Sequence, residues 1–84
     1  MLRKPSSLLR KTLADNIRAL RKARHLSQEE LADLSEFHRT YIGSVERGER
    51  NVTLSTLEAL SLALGISVVD ILTPKNNNDT EDTS

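Results

Sequence analysis

The apolar residues fall into helical spacing near the start of the chain. Leu9, Leu13, Ile17 and Leu20 recur every three or four positions, while Arg10, Lys11, Arg18 and Lys22 lie on the opposite side. That is the period of an amphipathic helix, and it runs to about Arg24. Ser27 is then followed three residues later by Glu30, with Leu26 and Leu31 flanking them. This is the spacing of a capping box combined with a hydrophobic staple, so a second helix starts at Gln28. It carries Leu31, Ala32 and Leu34 and ends near Ser35. After a break at residues 36–38, a third short helix fits 39 to 46 or 47, with Ile42 and Val45 inward. Gly48 is placed to end it in a left-handed conformation.

The fourth helix is capped by Thr53 or by Ser55, the latter with Glu58 at capping-box spacing. Leu57, Leu60 and Leu64, with Ala59 and Ala63, form its buried side, and Gly65 closes it. Ser67 with Asp70 and Ile66 with Ile71 repeat the cap and the staple for a fifth helix. That helix stops at Leu72 or Thr73, ahead of Pro74.

Composition removes the alternatives to an all-α fold. Three Gly and two Pro in 84 residues are too few for the turns of a sandwich or barrel. With Phe37 and Tyr41 the only aromatic residues, the core is aliphatic. The absence of cysteine excludes disulfides and thiolate zinc sites. Leu8 and Leu9 run directly into Arg10 and Lys11, which leaves no signal-peptide core and no membrane span, so a cytoplasmic protein is expected. Residues 1–7 read as a flexible basic arm, 8–74 as one five-helix domain, and 75–84 as a polar, acidic tail. Residues 76–84 contain no apolar side chain. Such a segment cannot offset its ordering entropy by burial, and disorder is expected there.

The net charge of zero conceals a polarity. Residues 1–50 hold 11 Lys and Arg against 7 Asp and Glu, whereas residues 51–84 hold 1 against 5. A basic working face on the first part is one reading and ordinary scatter of charge the other. The second and third helices are too short to stand alone and are joined tightly, which is the geometry of a helix-turn-helix. If Ile42 and Val45 point inward, Arg39, Thr40, Gly43, Ser44 and Arg47 point outward, with no acid among them. A helix that enters the major groove of DNA needs donors at its leading end and small residues where the backbone comes close.

Two stretches carry a resemblance. Leu26-Ser27-Gln28-Glu29-Glu30-Leu31-Ala32 and the run from Arg39 through Gly48 to Asn51 resemble the lambda-repressor/Cro type of helix-turn-helix protein, also called the xenobiotic-response-element family. The likeness spans about Ile17 to Leu72. In size and motif the chain is also similar to the controller proteins of restriction-modification systems, whose motifs many small repressors share.

The resemblance implies a five-helix lambda-repressor-like domain that binds double-stranded DNA to regulate transcription. Position by position, it implies that Arg39 and Thr40 read bases and that Ser44 reads bases or touches backbone. For Arg39 the alternative is a solvated arginine or a phosphate clamp. Tyr41 either meets a phosphate or a thymine methyl, or packs at the edge of the core. Gln28 matches a phosphate contact, where a helix N-terminus offers free N–H groups, or is simply a good first-turn residue. Arg47, Arg50 and Asn51 suit phosphate contacts that set register, or are simply a charged loop. Arg21 and Glu46 match a pair that ties the first helix to the recognition helix; as an exposed pair it would orient more than stabilise.

The chain departs from that pattern twice. Glu36 stands where Gly or Asn commonly closes the second helix, and so must take a left-handed conformation or shift the turn. His38 stands where Ser, Thr or Asp would cap the third.

A monomer neutralises few phosphates, so a homodimer on a two-fold symmetric operator is expected. Its candidate surface runs from helix four to helix five, where Val68, Val69, Ile71 and Leu72 exceed what one buried face absorbs. The alternative is that all four finish the monomer core. Activation would call for a surface toward RNA polymerase, for which Glu29 and Asp33 are candidates. The rival class is a protein-interaction module, adaptor-like or antitoxin-like, on the same fold. Enzymatic chemistry has no support: His25 and His38 lack ligand spacing and no glycine-rich phosphate loop exists, so no cofactor or metal is expected.

Overall fold

A computed structural model describes residues 6–75. Five helices follow one another: α1 (Ser7–Ala23), α2 (Gln28–Ser35), α3 (Arg39–Glu46), α4 (Leu54–Leu64) and α5 (Val68–Leu72). The chain is all-α among the described residues, as the spacing predicts. The expected arm and tail fall mostly outside the described residues, but Ser6 accepts a hydrogen bond from the Leu9 amide and Ser7 opens α1. The first helix therefore begins before the apolar stripe that announced it.

Local chemistry sets most of the other boundaries. At α2 the capping box is complete, with Glu30 N–H donating to Ser27 Oγ at 3.0 Å and Ser27 N–H to Glu30 Oε1 at 2.8 Å. Of the two candidate caps for α4, Thr53 is the one used, accepting from the Thr56 amide at 3.2 Å. Ser67 caps α5 through the Asp70 amide.

Four of the five helices end by a shared device. His25, Glu36, Gly48 and Gly65 each take a positive φ, and the following amide reaches back to a carbonyl five residues earlier: Leu26 to Arg21, Phe37 to Ala32, Glu49 to Ser44 and Ile66 to Ser61. This satisfies carbonyls that the helix ends would otherwise leave open. Glu36 accepts the left-handed conformation (φ 63°) rather than shifting the turn, and His25 (φ 58°) does the same at the end of α1.

Leu13, Ile17, Leu31, Ile42, Val45, Leu57, Leu60, Leu64 and Ile71 form a single aliphatic core, with Phe37 and Tyr41 packed at its edge. α2 packs on α3 and α4, α1 on α3 and α5, and α5 also on α4. Two-turn helices such as α2 and α3 are unstable alone. Their stability comes from burying Leu31, Ile42 and Val45, each worth about 1.5–3 kcal/mol when taken wholly out of water.

One tie across this core has no local signature in the sequence. Asn16 is buried in α1, and its Nδ2 donates to the carbonyls of Ile71 at 2.7 Å and Thr73 at 2.9 Å. The end of α5 is thereby held by a side chain 55 residues earlier in the chain.

Candidate nucleic-acid interface

The third helix owes its orientation to a buried ion pair. Arg21, on α1, donates from Nε and Nη2 to the two carboxylate oxygens of Glu46, on α3, at 2.7 and 3.0 Å. The Glu46 side chain is 3% exposed and that of Arg21 11%. The pair is therefore buried, contrary to the surface pair expected, and removing either partner strands a charge in the interior. The hydrogen bonds that Arg21 donates to Glu46 hold its guanidinium above its ordinary pKa, outweighing the opposing effect of burial.

Glu46 also gathers two more side chains. Gln28 Nε2 donates to its carboxylate at 3.1 Å, and Arg18 Nη2 to its backbone carbonyl at 2.9 Å. α1, the start of α2 and the end of α3 thus converge on one residue.

With its inner side committed in this way, α3 presents a restricted outer face. Arg39 and Thr40 are exposed, and neither side chain has a hydrogen-bond or ion-pair partner among the described residues. His38 precedes them as the N-cap and makes no side-chain cap bond, so the first-turn amides of α3 have no side-chain acceptor.

Two expected outward residues lie inside instead. Ser44 is 5% exposed. Its hydroxyl donates to the Tyr41 carbonyl at 2.7 Å and accepts from Arg50 Nε at 2.9 Å, so it has neither the exposure nor the free hydroxyl that base reading needs. Gly43 is buried as well, because Gln28 and Arg47 close over it: a Cβ there would stand 3.2 Å from Arg47 Nη1 and 3.5 Å from Gln28 Oε1. The small residue admits the neighbouring helix rather than a DNA strand.

The remaining candidates ring this face. Gln28 opens α2, but its amide nitrogen is spent on Glu46, which leaves the backbone N–H groups of that first turn to meet an anion. Arg47 is exposed and pairs with Glu49 at 3.1 Å, a surface contact worth about 0–1 kcal/mol and readily exchanged. Asn51 accepts a long bond from Arg10 at 3.4 Å. Arg10, Lys11, Arg18 and Arg47, with Asp15 and Glu46, line an open groove between α1 and the end of α3 around Gly48. Tyr41 is half-buried against Phe37, and Arg50 lies over its ring.

The two short helices, their tight linkage and the exposed leading end of α3 match a described family. The Helix-turn-helix model HTH_3 covers residues 17–71. The chain belongs to this helix-turn-helix family.

Control protein C.SmaI of Serratia marcescens is 58% identical over 65 residues, 77% of each chain. Control protein C.BamHI of Bacillus amyloliquefaciens is 42% identical over 65 residues, 76% of this chain and 80% of that one. Among solved structures, the restriction-modification controller protein C.AhdI from Aeromonas hydrophila superposes with a TM-score of 0.72 at 44% identity, covering 74% of this chain and 94% of that one. A hypothetical transcription factor from Neisseria gives 0.77 at 39%, covering 88% and 86%. The family is one of DNA-binding transcription regulators of the Cro/C1 type and not of enzymes. No helix among the described residues is long and apolar enough to cross a membrane.

The expected dimer surface is also redrawn. Ile71 is wholly buried in the monomer core and cannot meet a partner, while Val68 and Leu72 are half-buried against that core. Val69 remains, 72% exposed, and on α4 Leu62 is 85% exposed. The exposure of Leu62 has no mark in the sequence, because the leucines of α4 leave little contrast between its sides.

Proposed function

We propose that the protein is a sequence-specific regulator of transcription that binds double-stranded DNA as a homodimer on a two-fold symmetric operator. The observation that carries this reading is the uncommitted pair Arg39 and Thr40 at the leading end of a helix whose inner side is locked by Arg21 and Glu46. A planar guanidinium in that position suits guanine O6 and N7. The first-turn amides of α2, with Arg47 and Asn51, are suited to phosphates and would set register. Val69 and Leu62, exposed on α5 and α4, supply apolar surface for the second copy, with Val68 and Leu72 at its margin. Similarity to C.SmaI, C.BamHI and C.AhdI supports a narrower reading, a controller of restriction-modification genes.

Selection of binding sites from random duplexes tests the proposal. Two inverted half-sites, spaced by one helical turn of DNA or a multiple, are expected, with affinity falling steeply as salt rises. Failure to retain any duplex at low salt would overturn the reading.

A further inference from the structure

Arg50 belongs to the loop behind α3, yet its side chain lies back along the helix. Its Nε donates to Ser44 Oγ at 2.9 Å, and its guanidinium carbon stands 5.3 Å from the centre of the Tyr41 ring. Both supports are themselves braced. The Tyr41 ring packs on Phe37 with centroids 5.1 Å apart, and the Ser44 hydroxyl proton is given to the Tyr41 carbonyl, so an oxygen lone pair is what meets Arg50. Much of the rotamer freedom that an arginine surrenders on binding is already surrendered in the free protein. Meanwhile Nη1 and Nη2 of Arg50 have no acceptor among the described residues.

Ser44 lies four residues beyond Thr40, on the same stripe of α3. Arg50 Nε therefore meets α3 one turn beyond the exposed Thr40. A phosphate contact can be made by any cation within reach, a mobile lysine included, and does not depend on a side chain being held in one place. A fork held on an aromatic plane with its outer edge free is instead the arrangement that pairs with guanine in the major groove. We infer that Arg50 is a second base-reading side chain, serving the place on the stripe that the buried Ser44 cannot fill. Ser44 and Tyr41 are its positioning residues. The inference rests on the DNA-binding reading above.

Site selection from random duplexes is carried out with the wild type, Arg39→Ala, Arg50→Ala, Arg50→Lys and Ser44→Ala, after melting curves show each variant folded. The wild type is expected to show guanine preference at two positions of each half-site. Arg39→Ala removes one of them and leaves the other. Arg50→Ala and Arg50→Lys both remove the second, a loss of about 5- to 150-fold in discrimination at that base pair. Ser44→Ala weakens the same preference, and adds nothing when combined with Arg50→Lys. If Arg50→Ala weakens all duplexes alike while Arg50→Lys retains every preference, Arg50 is a backbone contact; the inference falls and DNA binding stands. A wild type with no base preference at all removes both.

Discussion

Replacing Glu46 by leucine tests the account of how α3 is held. The substitution deletes the acceptor for Arg21 Nε, Arg21 Nη2 and Gln28 Nε2 together. It leaves a guanidinium that is nearly buried with one remaining protein partner, the Leu26 carbonyl at 2.8 Å. Stranding one member of a buried pair costs about 3–5 kcal/mol. The described domain has 70 residues, and at roughly 0.05–0.15 kcal/mol per residue its whole stability is about 4–10 kcal/mol. Glu46→Leu is therefore expected to remove from a third to nearly all of it, lowering Tm by about 12–40 °C.

The double variant Arg21→Met, Glu46→Leu strands no charge, and should return to within about 1 kcal/mol of wild type or exceed it. Urea unfolding followed by circular dichroism, at one fixed protein concentration, measures all three. The reasoning is refuted if the single variant loses less than about 1 kcal/mol, or if the double is no more stable than the single. Pairing raises the Arg21 pKa from a value already far above neutrality. Its contribution is fully present below the unfolded value and is lost only as pH climbs through the folded one, so this guanidinium adds no slope to stability near neutral pH.

Four further outcomes follow from the same geometry. Glu36→Gly relieves a left-handed conformation costing about 1–2 kcal/mol and gives back part of that as backbone entropy, so stability should rise by about 0.5 kcal/mol, read as a higher Tm. Asn16→Leu leaves the Ile71 and Thr73 carbonyls without their donor and should cost about 1–3 kcal/mol in urea unfolding. Thr53→Ala should cost about 1 kcal/mol while Ser55→Ala stays within about 0.5, since only Thr53 caps α4. Leu62→Ser with Val69→Ser should shift sedimentation toward monomer without lowering the monomer's stability, both side chains being exposed.

The sequence by itself determined the elements and most of their boundaries, because those signals are local. Ser27 and Glu30 meet across one turn, and Gly48 and Gly65 supply positive φ wherever the fold goes. The period of Leu13, Ile17 and Leu20 marks a helix before any partner exists. The exposure of Arg39 and Thr40 was legible for the same reason: they lead a short helix and are needed by no other element.

Tertiary structure decided what each helix face touches. Whether Ser44 points to solvent depended on where Arg50 came to lie, and whether Arg21 and Glu46 form a surface or a buried pair depended on how closely α1 approaches α3. Ile71 could have served a dimer until α1 and α4 closed over it. Asn16 shows the reason most plainly. Its partners lie 55 and 57 residues away, so its role exists only once two distant segments of chain have packed, and nothing within a turn of it carries that information.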